Sequence, residues 1–450
     1  MEFHGVIFIS LFSLVLVVES NEFPMNYLIN KLPGQPDANF RQFTGYIDVD
    51  ENVDGRSLFY YFVEAEKDPI TQPLTVWLTG GPGCSSVGDG FSSVGPFVVT
   101  KDAHGLQKNL FSWNKVSNLL FIDSPIGSGW SYSNTSSDYN NGDDATNIIL
   151  LTFMQKWYEK YPVFKSKALY LAGSSYAGHF IPNLADALLD DNKQSKQSKF
   201  NLKGLVLGNP MLRSKLDDLA KFDLFFSQKM INSSLYNQIK KECNVIDEDN
   251  YFFNLKAIWS ATCENLMERG ILAAFKTDAN NYFPLKLFDI FRDPCAENEQ
   301  DLNVDKQAVK LITEVDMCSP FRAQCYFNLP EGCFTDNFKY NKADMELDML
   351  PVLKKLLQQS VPIIIFSGDQ DAIIPTVGTL QHLKKLAEEL NIKLTKEEAW
   401  SFRNQEGGLK YNFGDLLTFL TVKGGNHHVT SSRPSQALDI FTNFVINWMH

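Results

Sequence analysis

A chain of 450 residues with 44% hydrophobic and 13% aromatic side chains is long enough to bury one large core, or a core with a sizeable insertion. Its formal charge of −12 argues against nucleic acid as a partner. The seven cysteines show no C-x-x-C spacing and the histidines no H-x-x-x-H spacing, so the cysteines read as disulfides of an oxidising compartment rather than metal ligands, with an odd count that leaves at least one unpaired.

The apolar run from Val6 to Val18 is too short to span a bilayer comfortably and suits the core of a signal peptide over residues 1–20, cut near Ser20 or Asn21. No later stretch has the length of a membrane span. The expectation is a protein of the secretory pathway without a membrane anchor, secreted or vacuolar/lysosomal, with residues 21–450 forming one domain of unspecified oligomeric state. Two sequons, at Asn134 and Asn232, are expected glycosylation sites in that setting.

Short β-rich apolar runs follow: Leu74–Leu78, Leu119–Ile122, Ala168–Ala172, Leu205–Gly208, Ile363–Ser367 and Thr418–Val422. Between them lie helical stretches such as Ala145–Tyr158 and Val377–Leu390. Strands alternating with helices in this way predict an α/β fold whose mostly parallel sheet is covered on both faces. Residues 211–349 break the pattern. They hold six of the seven cysteines, are rich in Asp, Asn, Lys and Phe, and read as an inserted, disulfide-braced helical cap.

Three segments carry chemistry. Gly173-Ser174-Ser175-Tyr176-Ala177-Gly178 contains a G-x-S-x-G between a predicted strand and a predicted helix over His179–Leu189, the context of a nucleophile elbow. A serine hydroxyl needs a base, and the base an orienting carboxylate, which this architecture supplies later in the chain in the order Ser, Asp, His. Asp371 follows the predicted strand at Ile363, with Asp369 as a second candidate. His427 lies on the Gly-rich loop after the last predicted strand, with His428 as its rival. The third segment, Thr79 to Ser86, offers backbone N–H groups for an oxyanion, and Gly81 and Tyr176 are assigned that task. Its GGPG lacks the Lys-Ser/Thr ending of a phosphate loop, and Cys84 reads as a structural disulfide rather than a nucleophile. This chemistry requires no cofactor and no metal; the expected partner is a peptide or acyl-ester substrate.

Taken together, LPGQP (32–36), LFYYFVEAE (58–66), GGPGCSS (80–86), SPIGSGWSYSNT (124–135), SYAGHFIP (175–182) and SGDQDAIIP (367–375) resemble the serine carboxypeptidase family from about Leu32 onward. The resemblance implies an α/β-hydrolase core with a helical insertion and Ser175, Asp371 and His427 as the catalytic triad. It also implies disulfides Cys84–Cys333, Cys243–Cys263 and Cys295–Cys318, with Cys325 left free. The substrate-binding positions it points to are Thr79, Gly80, Ser93 and Ser174. Three of these depart from the family pattern, which reads a peptide's free carboxylate with an Asn before GGPGC, a Glu before the next Gly-Pro and a Glu before the nucleophile. Here those residues are Thr79, Ser93 and Ser174. Thr430 replaces a family proline, and the segment from Cys325 to Leu350 is shorter than the pattern. The resemblance implies a hydrolase that removes C-terminal residues through an acyl-enzyme on Ser175. The departures leave two alternatives, an acyltransferase or esterase and an inactive paralogue.

Overall fold

The computed structural model describes residues 23–50, 55–100, 104–196, 199–243, 259–277, 284–291 and 338–448. The expected signal peptide and Cys295, Cys318, Cys325 and Cys333 lie outside them. A sheet runs through the molecule in the order Leu28–Ile29, Gln42–Asp48, Arg56–Val63, Asn118–Ile122, Leu74–Leu78, Ala168–Ser174, Asn201–Gly208, Ile363–Gly368, Leu417–Val422, Gln405–Phe413 and Leu394–Phe402. The six central strands, from Asn118–Ile122 to Leu417–Val422, pair in parallel. Antiparallel pairs extend both edges.

Successive side chains of a strand point to opposite faces, and here both faces are buried. From Leu74–Leu78, residues Leu74, Val76 and Leu78 join one apolar cluster while Trp77 joins the other. Leu169 and Leu171 likewise face away from Tyr170 and Ala172. The first face is covered by helices Asp143–Lys160, Ala177–Ser195, Leu350–Gln358 and Thr376–Glu389; the second is covered by Pro434–Trp448, whose Ala437, Ile440, Phe441 and Phe444 repeat at helical spacing. This two-sided burial is why the central strands read as continuous apolar runs. The outer hairpin Leu394–Phe413 has a first strand, LTKEEAWSF, with mostly exposed side chains, and its composition carries no apolar signal.

Between Gly208 and Ile363 the described residues include helices Ser214–Ser227, Ser233–Glu242 and Ala261–Phe275. These pack on one another through Leu219, Phe222, Phe225, Ile239 and Leu266, apart from the two sheet clusters. Cys243 and Cys263 form a disulfide that joins the second and third helices. His382 Nε2 lies 2.8 Å from Asp217 Oδ1, both buried, and ties this layer to the core helix Thr376–Glu389. No helix of the described residues is long and apolar enough to cross a membrane.

The loop Thr79–Ser85 is held in place by Asp123, at the end of a central strand. Fully buried, Asp123 accepts from Ser85 Oγ at 2.7 Å and Val87 N–H at 3.1 Å through Oδ1, and from Trp130 N–H at 3.1 Å through Oδ2. Burial nevertheless pushes its pKa up to about 6. Removing the carboxylate strands three buried donors, each costing about 1–3 kcal/mol when left unpaired. Asp123→Ala is therefore expected to lower the urea-unfolding free energy by about 3 kcal/mol or more; a loss below 1 kcal/mol would show that the carboxylate does not anchor the loop.

Candidate active site

Ser175 stands at the junction of strand Ala168–Ser174 and helix Ala177–Ser195 with φ of 60°, a left-handed backbone that a side chain occupies only under constraint. The constraint is visible on every side. A Cβ on Gly173 would sit 2.4 Å from Leu78 O, and one on Gly178 would sit 2.4 Å from Met211 O. The glycines thus let the strand, the turn and the helix close up around the serine. Ser175 N–H donates to Gly208 O and its carbonyl accepts from Gly178 and Met211 N–H, which fixes the turn from both neighbouring elements.

His427 arrives from the loop after strand Leu417–Val422, with Nε2 3.0 Å from Ser175 Oγ and Nδ1 2.7 Å from Asp371 Oδ2. Asp371 is fully buried. Its Oδ1 accepts from Ile373 and Ile374 N–H at 2.7 and 3.2 Å, and its Oδ2 also accepts from Asn209 Nδ2 at 2.7 Å. These bonds, with the one to His427, fix the direction of the carboxylate. The two rival residues have other partners. Asp369 accepts from Gly424 N–H at 2.7 Å. His428 lies parallel to the Phe288 ring, and desolvation, followed by the nearby His427, pushes its pKa down to about 3.

On the other side of Ser175, a Cβ on Gly80 would meet Tyr176 N at 2.4 Å and Ser175 Cβ at 2.7 Å, so the Thr79-Gly80 backbone lies against the nucleophile turn. Among the described residues, the Gly81 and Tyr176 N–H groups donate to no backbone carbonyl. Thr79, Ser93 and Ser174 are buried. The Ser93 hydroxyl donates to Asp89 O at 3.2 Å. Cys84 is disulfide-bonded, which removes it as a free thiol.

Several contributors were invisible in the sequence because long-range packing assembles them. Asn209, with φ of 42°, sits where strand Asn201–Gly208 ends. Phe288 offers its carbonyl to His427 N–H at 2.9 Å, and its ring lies nearly perpendicular to the imidazole. Tyr176 is clamped from behind: Asp143 accepts from its hydroxyl at 2.9 Å and from Tyr340 at 2.5 Å, and lies 2.8 Å from His179 Nδ1. The His179 ring stacks on Tyr176 at 4.4 Å. Asp143 opens helix Asp143–Lys160, where an acid's ordinary reading is an interaction with the helix dipole.

A parallel sheet covered on both faces, a serine on a left-handed strand-to-helix turn and an imidazole bridging it to a carboxylate define the α/β-hydrolase fold. A family model for serine carboxypeptidases matches residues 33–447. Serine carboxypeptidase-like 44 of Arabidopsis thaliana is 45% identical over 445 residues, covering 94% of this chain and 91% of that protein; serine carboxypeptidase-like 42 of the same plant is 43% identical with the same coverage. Kex1, a prohormone-processing carboxypeptidase of Saccharomyces cerevisiae, shares the fold with a TM-score of 0.72 and 22% identity over 95% of this chain and 97% of its own. The chain belongs to the serine carboxypeptidase family, a family of serine-type hydrolases.

Two outcomes follow from this geometry. A hydrogen bond to a charged group contributes about 1.5–3 kcal/mol, so Asn209→Ala is expected to slow phosphonylation of Ser175 by about 10- to 100-fold, and an unchanged rate would remove Asn209 from the positioning of Asp371. For His428 the folded pKa is depressed, so between about 6.5 and 3 the unfolded chain binds the proton first and stability falls as pH falls. His428→Gln is expected to flatten the decline of Tm over that window; an equal slope would contradict the buried, neutral imidazole.

Proposed function

We propose that this protein is a serine carboxypeptidase of the secretory pathway that removes C-terminal residues from peptides through an acyl-enzyme on Ser175. The observation that carries the reading is the continuous chain from Ser175 Oγ through His427 to the fully buried Asp371, at 3.0 and 2.7 Å. In this mechanism His427 Nε2 takes the hydroxyl proton as Oγ attacks the scissile carbonyl. The oxyanion forms against the Gly81 and Tyr176 N–H groups, where preorganised donors stabilise charge as it develops. His427 then protonates the departing amine, and a water activated by the same ring hydrolyses the ester. Asp371 keeps Nδ1–H directed at itself throughout.

Support for the secretory setting comes from the apolar run in residues 1–20, which stands as a proposed signal peptide, and from the Cys243–Cys263 disulfide. Residues 211–349 stand as a proposed cap. Asn134 and Asn232, the proposed glycan acceptors, are both exposed. Asn232 caps helix Ser233–Glu242 through Oδ1, which accepts from Leu235 N–H at 2.9 Å, so Nδ2, the atom a glycan takes, stays available. A second reading, acyl transfer to an alcohol or ester cleavage, rests on Thr79, Ser93 and Ser174, which place hydroxyls at the positions the family pattern fills with an amide and carboxyls.

Treatment of the purified glycoprotein with an active-site serine phosphonate, followed by peptide mass spectrometry, is expected to place the adduct on Ser175 and to give none in Ser175→Ala. A folded protein that takes no label would replace this reading with that of an inactive paralogue.

A further inference from the structure

Four aromatic side chains lie in a row on the second face of the sheet, near one edge. In the antiparallel pairing of Gln42–Asp48 with Arg56–Val63, Tyr46 stands opposite Phe59, and Tyr132 stands opposite Ser57, two residues along the same strand, so these side chains share a face. Ring centroids follow one another at 5.4 Å from Tyr132 to Tyr46, 5.1 Å from Tyr46 to Phe59 and 4.9 Å from Phe59 to Trp130, each contact edge to face, the favoured arrangement of aromatic pairs. The inner end is fixed. Phe59 and Trp130 are half-buried against the second apolar cluster, with Phe59 N–H donating to Ser131 Oγ at 2.8 Å and Trp130 N–H to Asp123 Oδ2 at 3.1 Å. The outer end is open, with Tyr46 41% and Tyr132 40% exposed. Adjoining exposed rings of this kind mark a binding surface.

The sequon two residues beyond Tyr132 indicates the occupant. Asn134 N–H donates to Gly55 O at 2.8 Å, which carries the pairing of Tyr132–Ser133 with Arg56–Val63 one step further, and alternate residues of an extended strand share a side. The Asn134 amide therefore leaves the backbone on the side of the Tyr132 ring, about 7 Å along the chain. Room for it comes from Gly55, where a Cβ would stand 2.1 Å from Asn134 Nδ2. Thr135 N–H donates to Ser133 Oγ at 3.0 Å and holds the turn, and Asn134 and Ser136 are exposed. We propose that the Tyr132 and Tyr46 rings are the stacking platform of an N-linked glycan on Asn134, whose first sugars lay an apolar ring face on them. The proposal rests on the sequon reading given above and on no property of the triad. A pyranose presents C–H groups on its ring faces, which meet the electron-rich face of an aromatic ring, while its hydroxyls stay in water at the rim. Because the sugars are tethered to Asn134, stacking is intramolecular and needs little affinity for free sugar. The covered row ties strands Gln42–Asp48 and Arg56–Val63 to the segment 123–135, and so to the Asp123 carboxylate that holds the Thr79–Ser85 loop.

The test is the rate at which a peptide N-glycosidase releases the Asn134 glycan from the folded, secreted glycoprotein, followed by peptide mass spectrometry in the native protein, Tyr132→Phe, Tyr132→Ser and Tyr46→Ser. A glycan held on the rings must leave them before the enzyme can take it. Release is therefore expected to be about 3- to 10-fold faster from each Ser variant than from the native protein, and within about twofold of native from Tyr132→Phe, which keeps the ring. After urea denaturation all the proteins are expected to release the glycan at one rate, and an unchanged near-ultraviolet circular dichroism spectrum shows each variant to be folded. Equal release from the folded native and Ser proteins overturns the proposal. So does release from Tyr132→Phe as fast as from Tyr132→Ser, which would assign the effect to the hydroxyl and not the ring. A secreted protein whose Asn134 carries no glycan overturns it as well, whereas the serine hydrolase reading stands or falls separately on the labelling of Ser175.

Discussion

The left-handed turn at Ser175 is the constraint around which the rest of the active site is organised. A non-glycine residue in that conformation is strained, and the strain persists because the turn is bonded to Gly208, Gly178 and Met211 on three sides. Holding those bonds requires the backbone of Leu78 and Met211 and the Cβ of Ala177 to approach Gly173 and Gly178 more closely than any added side chain permits. The glycines are therefore consequences of one exposed hydroxyl. The same closeness brings the Tyr176 N–H and the Gly80 backbone to one spot beside the Ser175 side chain.

A second layer keeps this arrangement rigid. Behind Tyr176, Asp143 gathers two tyrosine hydroxyls and the His179 ring, and behind the GGPG loop Asp123 gathers three donors. Both carboxylates sit out of water, where unpaired charge is costly and paired charge is directional. Asp371 is the third of the kind, with four donors. Each of the three buried acids holds one wall of the site: the oxyanion side, the loop side and the histidine side.

The layer between Gly208 and Ile363 contributes more than a roof. Its segment Pro284–Phe291 reaches both triad loops, with Phe288 O bonded to His427 N–H, Leu287 O to Ala372 N–H and Ile290 N–H to Gln370 O. The orientation of the histidine thus depends on residues whose own local sequence carries no catalytic pattern. The position of the histidine loop depends on that contact, because whatever displaces Phe288 also removes a bond from His427.

Local sequence alone determined the six central strands, since burial on both faces forces a continuous apolar run, and it determined the order of Ser175, Asp371 and His427, since each follows a strand end with the glycines its turn requires. It favoured Asp371 over Asp369 and His427 over His428 but kept both rivals open, because two acids or two imidazoles within two residues differ only in direction. Tertiary structure decided between them: Asp369 turns to Gly424, His428 to the Phe288 ring, and the Asp371–His427 pair meets beside Ser175. It also placed Asn209, Phe288 and Asp143 at the site. Asn209 and Phe288 act on triad residues 162 and 139 positions away, and the exposed hairpin at 394–413 has no apolar period to reveal it. Periodicity records which side of an element meets the core, whereas a hydrogen bond between distant residues leaves no local trace and exists only once the chain has folded.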